Sequence, residues 1–366
     1  MKKRIGIIFG GKSAEHEVSL QSAKNIIESI DKERYEPVLI GIDKNGIWHL
    51  SDSHEYLLNT TNPRLIALNT TDDKLSIIPG SKEKQIVVSG SQGNDGNIDV
   101  AFPVLHGPYG EDGAIQGLLK LANIPFVGAS VLGSAVGMDK DIMKRLLRDD
   151  NIPVADYLCF LKKQRDEIEF AIVKKRLGLP LFVKPANLGS SVGISKVESK
   201  EEFTEAIQKA FEFDRKIIIE EHIPGREIEC AVLGNDDPVA SVPGEVKSNN
   251  ESHGFYSYEA KYIDENGAIL EIPAKLEEKT IEGVKKIAVK AFTALCCEGM
   301  ARVDCFLKPN NEILVNEINT IPGFTKISMY PKLWEASGKS YTELITDLIE
   351  LASKRYEEEQ KLKTSI

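Results

Sequence analysis

No stretch of this 366-residue chain approaches the ~20 consecutive apolar residues of a membrane-spanning helix. The basic start Met1-Lys2-Lys3-Arg4 is followed by an apolar run, Ile5 to Phe9, that stops at Gly10-Gly11-Lys12, short of the roughly 7–15 residues of a secretory signal core. Cysteine is scarce. Cys159, Cys230, Cys296, Cys297 and Cys305 are odd in number and have neither zinc-ligand nor redox-motif spacing, which points to a reduced cytoplasm. Positive charge is in deficit: the formal net charge of -10 repels polyanions, so neither nucleic acid nor an anionic membrane is expected as a partner. Any phosphate must therefore be bound locally. Internal repeats and low-complexity tracts are lacking too.

What is present is ordinary globular material, 42% hydrophobic and 28% charged, in a chain too long for one core. Two or three packed units are expected. Arg4 to Phe9 reads as a strand, and Leu20, Ala23, Ile27 and Ile30 follow at helical spacing. Pro37 to Ile42 reads as a strand, as does Asp99 to Gly107, buried and parallel and feeding a helix from Ala114 to Leu121. The first, α/β unit ends near Gly128. A helix from Asp139 to Asp150, strands Leu181 to Pro185 and Lys216 to Glu221, and a helix from Lys200 to Phe213 form an α+β unit. Beyond Glu227 come further strands, an aromatic loop at Phe255 to Tyr262, a helix from about Leu276 to Cys296, a hairpin around Asn310-Asn311, and a helix from Tyr341 to Tyr356 with a frayed, charged end after Glu357. The stretch from about Lys44 to Asn97 shows short strands such as Gln85 to Val88 and no legible chemistry.

Gly6-Ile7-Ile8-Phe9-Gly10-Gly11-Lys12-Ser13 satisfies the phosphate-loop pattern G-x-x-x-x-G-K-[ST]. The match is accidental on physical grounds, because Ile7, Ile8 and Phe9 are the apolar body of a strand and only Gly10 to Ser13 can turn. The helix that follows offers free N–H groups to an anion. Glu15 would instead favour an amine, and on spacing alone Glu15 and Glu17 read as first-turn acids complementing the helix dipole.

Three other segments suit nucleotide chemistry. Lys184, flanked by apolar residues in its strand, needs an anionic partner. Gly189-Ser190-Ser191-Val192-Gly193 supplies small side chains, hydroxyls and close backbone approach for phosphate, although a plain hairpin turn has the same composition. The run Lys216 to Gly225 reads as a buried strand ending in a hinge, where backbone groups could meet an adenine edge.

The most specific arrangement is a pair of strands, Ala301 to Leu307 and Ile313 to Asn319. A two-residue turn at Asn310-Asn311 would pair Pro309 with Glu312, Asp304 with Glu317 and Arg302 with Asn319. Alternation then aims all four polar side chains at one face. Two carboxylates and a carboxamide suit a hard ion such as magnesium. The plainer reading is an Arg–Glu pair on a solvated face. The turn Thr320 to Thr325 could add a backbone N–H beside Arg302 for an oxyanion.

Lys184-Pro185, Gly189 to Gly193, Arg302-Val303-Asp304 and Asn316-Glu317-Ile318-Asn319-Thr320, in this order, resemble the ATP-grasp superfamily. Within it the chain resembles the D-alanine–D-alanine ligase family, through Gly10 to Ser19, Leu105 to Gly113, Met138-Asp139-Lys140 and Tyr258 to Tyr262. The resemblance spans nearly the whole chain. It implies an ATP-grasp fold preceded by an N-terminal α/β domain: 1–128 for the first D-alanine, 129–221 as central subdomain, and 222–366 as C-terminal subdomain with the metal site.

It also implies site residues. Lys140, Lys184 and Lys261 would meet phosphates, with Ser190 and Ser191 in the phosphate loop. Glu220, Glu221, Ile223 and Glu227 would border adenine and ribose. Glu221-His222 departs from relatives with a basic-aromatic pair there, which leaves side-chain contacts to the base open. Asp304, Glu317 and Asn319 would hold two Mg2+ or Mn2+ ions. Glu15, with His106 nearby, would hold the first D-alanine's ammonium, and Ser190 and Tyr262 would link Glu15 to the active-site loop. Arg302 and the Gly323 backbone would form the oxyanion site, and Ser328 would hold the second D-alanine's carboxylate. The implied reaction passes through an acyl phosphate, with Phe255 to Tyr262 closing as a lid. Related vancomycin-resistance ligases that make D-alanyl-D-lactate lack a tyrosine equivalent to Tyr262, which favours D-alanine as acceptor. A homodimer is expected. The rival readings are an ATP-grasp ligase with another acceptor such as D-lactate, a P-loop NTPase using Lys12-Ser13, and a non-catalytic amino-acid-binding protein.

Overall fold

The apolar run that is too short for a signal core is the central strand of a sheet. Lys3–Gly10 pairs in parallel with Tyr35–Ile42 on one side and Val100–Val104 on the other, and everything from Ile5 to Gly10 is buried. A parallel strand covered on both faces needs a continuous apolar run of this kind. Trp48–Ser51 adds an antiparallel edge. The helices His16–Ser29 and Ala114–Leu121 follow their strands directly. The computed structural model describes residues 1–51, 56–60, 62, 65–71, 74–80, 85–89, 97–248 and 268–363. The aromatic segment Phe255 to Tyr262 therefore lies outside the described residues, and with it Lys261 and Tyr262.

A second, antiparallel sheet runs in the order Ser195–Val197, Leu181–Pro185, Lys216–Glu221, Tyr157–Leu161. The helix Lys200–Phe213 covers it with Phe203, Ala206, Ile207, Ala210 and Phe211. Its start is fixed by a capping box, in which the Ser199 hydroxyl accepts from the Glu202 N–H and the Glu202 carboxylate accepts from the Ser199 N–H.

The third sheet, also antiparallel, runs Ala268–Glu271, Gly244–Ser248, Arg226–Gly234, Gly299–Leu307, Ile313–Asn319, with Val239–Ala240 paired to Arg226–Gly234. Glu278–Ala294 packs on one face through Val284, Ala288, Ala291 and Phe292. The last helix, Tyr341–Glu359, continues past Glu357 rather than fraying there, because Lys120 reaches Glu359 at 3.1 Å and Lys354 sits 3.8 Å from Glu358. Its Leu344, Ile345, Leu348 and Ile349 share a core with Ile5, Ile7, Leu20 and Phe324. The first and third sheets are thus joined by a common apolar interior. No helix among the described residues is long and apolar enough to cross a membrane.

Among the described residues three α-helices carry no periodic signal in the sequence: Val131–Met138, Phe170–Leu177 and Met329–Ala336. Each spans eight residues, too few turns to define a stripe. In the first, Gly133 and Gly137 allow close packing: a Cβ would meet the Cys296 carbonyl oxygen at 2.5 Å and Thr320 Cγ2 at 3.0 Å. In the last, Pro331 occupies the first turn, where the missing N–H costs no helical bond.

Candidate active site

The two strands of the acidic hairpin do set Arg302 opposite Asn319 and Asp304 opposite Glu317. They reach that register by a different route from the one predicted. The turn is not the two-residue Asn310-Asn311. It is the three-residue Pro309-Asn310-Asn311, closed by Lys308 N–H donating to the Glu312 carbonyl at 2.9 Å, with Asn311 at φ 62°. Proline suits the first turn position and asparagine tolerates the left-handed one, so three residues are favoured over two. Next to this turn the ladder pairs Leu307 with Ile313, and the register shifts by one residue between Asp304 and Cys305. The shift is a β-bulge at Asn316, which cancels the offset of the turn. It places both Asn316 and Glu317 on the side opposite the core residues Val315 and Ile318.

Around Arg302 the polar groups are tightly linked. Its guanidinium donates to both oxygens of Asp304 at 2.7 Å, and its Nε lies 2.8 Å from Glu229 on the neighbouring strand. Asn319 donates its amide to Asp304 at 3.0 Å. Among the described residues no three His, Cys, Asp or Glu side chains gather as a metal cluster. The predicted set has two carboxylates, and Asn319 supplies its third oxygen.

Between the second and third sheets lies a cavity of about 260 Å³. Its walls bring together every predicted nucleotide residue within the described part of the chain: Lys140, Lys184, Ser190, Ser191, Glu220, Glu221, Ile223 and Glu227, with Glu317 at the rim of the third sheet. Phe182, Ile194 and Phe306 give it an apolar side. Lys140 donates to the Leu188 carbonyl at 2.6 Å and its Nζ lies 3.5 Å from Glu317. Lys140 thus ties the approach to the loop 189–193 to the acidic hairpin.

Glu220 is 1% exposed and its two oxygens are bound by Lys184, at 2.5 Å, and by the buried Lys144. Burial alone would raise this carboxyl, but the two ammonium groups hold it down to about 2. Burial also lowers Lys144 from the ordinary lysine value. Lys144 was missed from the sequence, although it stands four residues after Lys140 on one helix face, a spacing that could have revealed it. Glu221 accepts the Asp156 N–H at 2.7 Å, and the His222 ring lies 5.9 Å from that of Phe182.

Glu15 adjoins the cavity through Ser190, one of its lining residues. It is the N-cap of the helix His16–Ser29, and its carboxylate accepts from the Ser190 hydroxyl of the loop 189–193. Gly107 makes this possible: at φ 75°, a Cβ there would lie 2.8 Å from Glu15 Oε2. Gly189 approaches the same oxygen, at 3.4 Å from its would-be Cβ. Lys12 is exposed, and Ile7 to Phe9 are buried in the strand Lys3–Gly10, so the phosphate-loop match has no loop to form.

His106 and Glu111 link the first unit to the turn 320–325. His106 is 4% exposed; its Nδ1 meets the Ile321 carbonyl at 3.0 Å and its Nε2 meets Ser22 Oγ at 3.3 Å. Burial pushes its pKa down to about 4, against the bond to Ile321, so the ring is neutral. Glu111 accepts the Gly107 and Ile321 N–H groups, and burial together with the nearby Glu15 raises its carboxyl well above the usual range. Gly323 is buried in that turn. Ser328 precedes the helix Met329–Ala336, and its hydroxyl lies 2.8 Å from the Thr325 hydroxyl and accepts the Thr325 N–H at 3.0 Å. Glu111, Ser22, Lys144, Asn316 and Glu229 are thus participants that sequence reading did not single out.

A hydroxyl-lined cavity between two antiparallel sheets that holds Lys140 and Lys184, with an acidic hairpin at its edge and an α/β unit in front, defines an ATP-grasp-type ligase. Family models bear this out: residues 4–129 match the D-ala D-ala ligase N-terminus and residues 146–350 the D-ala D-ala ligase C-terminus. The chain belongs to the D-alanine–D-alanine ligase family. Over 365 residues it is 59% identical to a D-alanine–D-alanine ligase of Oceanobacillus iheyensis, covering 100% of this chain and 99% of the relative. It is 55% identical to D-alanine–D-alanine ligase A of Escherichia coli strain K12, covering 100% of both. Solved structures agree. The D-alanine–D-alanine ligase from Coxiella burnetii superposes with a TM-score of 0.82 at 40% identity, covering 98% of each chain. The VanG D-Ala:D-Ser ligase from Enterococcus faecalis gives 0.83 at 34% identity, covering 96% of this chain and 100% of that one.

Proposed function

We propose that this chain joins two D-alanine molecules into D-alanyl-D-alanine, a peptidoglycan precursor, with conversion of ATP to ADP and phosphate. The bond between Ser190 and Glu15 carries the reading. It brings a carboxylate able to hold an ammonium group against the loop that would hold the phosphates. A substrate anchored at Glu15 thereby presents its own carboxylate to the transferred phosphoryl group.

In the first step a carboxylate oxygen of the first D-alanine attacks the γ-phosphorus of ATP, and ADP departs. Lys140, Lys184 and the Ser190-Ser191 backbone and hydroxyls would hold phosphate oxygens, while Ile223, Phe182 and Phe306 border the base and Glu227 the ribose. The amine of the second D-alanine, its carboxylate held by Ser328, then attacks the acyl carbon. The Arg302 guanidinium and the Gly323 N–H would receive the oxyanion; one such donor contributes about 10²–10³ in kcat. Phosphate leaves as the peptide forms.

Asp304, Glu317 and Asn319 suit Mg2+ or Mn2+. They are hard oxygen donors on one sheet face, with no soft ligand among them, and Asn319 turns its nitrogen to Asp304, so its carbonyl oxygen would ligate. Two such ions, when bound, would neutralise charge on the phosphates.

The division into units 1–128, 129–221 and 222–366 belongs to the same reading, as do a homodimer, without nucleic-acid or membrane partners, and a cytoplasmic location. The five free cysteines, three of them buried, accord with that location. A relative that is a D-Ala:D-Ser ligase makes the acceptor the point to test. Incubation with ATP, magnesium and D-alanine together with D-serine, D-lactate or L-alanine, followed by mass analysis, should show D-alanyl-D-alanine as the main product. A dominant mixed product would instead identify another acceptor.

A further inference from the structure

The turn that carries Gly323 is gripped by side chains of the N-terminal unit. Ile321 N–H donates to Glu111 at 3.3 Å and the Ile321 carbonyl accepts from His106 at 3.0 Å. Phe324 N–H donates to Ser22 Oγ at 3.1 Å, and its carbonyl accepts from Asn25 at 2.9 Å and from Tyr341 at 2.6 Å. Pro322 has no N–H to offer. Among the described residues no group accepts the Gly323 N–H. The turn is therefore fixed on both sides of Gly323, whose N–H stays available to a ligand.

The direction of these bonds follows from chemistry. A carbonyl only accepts, so His106 Nδ1 carries the proton toward Ile321. In the neutral ring Nε2 must then accept, and Ser22 donates its hydroxyl proton there while its oxygen takes the Phe324 N–H. Every group is used once: Phe324 N–H to Ser22, Ser22 O–H to His106, His106 N–H to Ile321. Both ring nitrogens of His106 are occupied inside the protein, which leaves neither for a substrate.

We infer that Ser22 and His106 are positioning residues for the second chemical step: their relay of hydrogen bonds sets the Gly323 N–H where the oxyanion develops, and His106 does not bind the first D-alanine itself. The inference deepens the proposed ligase reading and rests on it. Misplacing an oxyanion donor lowers the rate of reaction without weakening ground-state binding.

The test is steady-state kinetics on the full chain for Ser22→Ala, Ser22→Thr, His106→Asn and the Ser22→Ala/His106→Asn double variant. Ser22→Ala and His106→Asn are each expected to lower kcat about 10- to 100-fold. KM for the first D-alanine and for ATP should move less than about two-fold, the pattern of an interaction made only in the transition state. The double variant should be no slower than the slower single one, because both break the same relay. Ser22→Thr, which keeps the hydroxyl, should restore most of kcat. A raised KM for the first D-alanine with unchanged kcat in His106→Asn would make His106 a substrate ligand and overturn the inference, as would an unchanged kcat in Ser22→Ala. Should His106→Asn fail to fold, the Ser22→Ala and Ser22→Thr pair, which alters volume least, decides alone. If the wild-type chain forms no D-alanyl-D-alanine, the ligase reading fails first, and distinguishably.

Discussion

Asp304 faces Glu317 across two strands whose ladder is offset by one residue between that pair and the turn, and the bulge at Asn316 absorbs the offset. The pairing concentrates negative charge where Lys140 approaches, 3.5 Å from Glu317. Asp304→Asn or Glu317→Gln should reduce kcat at least about 100-fold, the scale of several kcal/mol of transition-state charge stabilisation. Chelation of divalent ions should abolish turnover in the wild type, and excess magnesium should restore it. Retained, chelator-insensitive activity in either variant would remove the metal assignment.

Glu220 links the pH dependence of stability to its two lysine partners, Lys144 and Lys184. Its folded pKa, about 2, lies below the ordinary glutamate value of 4.5. The carboxylate therefore adds stability above pH 4.5, and that stability is lost as pH falls through 4.5 toward 2. Glu220→Gln should weaken the dependence of denaturant midpoint on pH in this window. It should also destabilise the protein by about 3–5 kcal/mol at neutral pH, since it strands buried ammonium groups. Parallel pH curves for the two proteins would refute the linkage.

Lys12 and Lys184 separate the two phosphate-binding readings. Lys12 is exposed, whereas Lys184 lines the cavity beside Glu220. Nucleotide affinity measured by calorimetry should be unchanged in Lys12→Ala and reduced about ten-fold or more in Lys184→Ala, the scale of one charge-assisted contact. The reverse order would return the chain to the P-loop reading.

Gly107 stands close against Glu15. Gly107→Ala adds a Cβ 2.8 Å from the Glu15 carboxylate at φ 75° and should raise KM for the first D-alanine. The backbone strain alone costs about 1–2 kcal/mol. Gly338 has a similar φ, 88°, with nothing within 4 Å. Gly338→Ala should show the strain as lower thermal stability and leave KM alone. Equal kinetic effects in both variants would mean that the Glu15 contact is irrelevant.

Much of this arrangement was legible in the residues because it follows from strand alternation. Arg302 and Asp304 alternate with apolar neighbours in one strand, and Glu317 and Asn319 flank Ile318 in the other, so the hairpin sets all four on one face. The buried run Ile7 to Phe9 likewise ruled out a phosphate loop. The turn was misread because Asn-Asn suits two-residue loops, while Pro309 tips the balance toward three; the bulge left no signal beyond two successive polar residues. Lys144 and Glu111 were overlooked because a single charged residue in a helix or loop is usually solvated, and only tertiary packing made these two internal. Ser22 and Asn25 looked like ordinary helix polar residues. Their partners lie about 300 positions away in the chain (separations of 302 and 299), beyond the reach of any local pattern.

The ligase reading requires that a carboxylate held at Glu15, beside the Ser190 wall of the cavity, be activated for attack by a second amino acid. The most direct measurement is mass detection of the dipeptide after incubation with magnesium, D-alanine and ATP labelled at the γ-phosphate, with Glu15→Gln in parallel. The wild type should yield D-alanyl-D-alanine and release one labelled phosphate per dipeptide, and Glu15→Gln should need far more D-alanine for the same rate. Phosphate release without dipeptide, or equal D-alanine dependence in the two proteins, would contradict it.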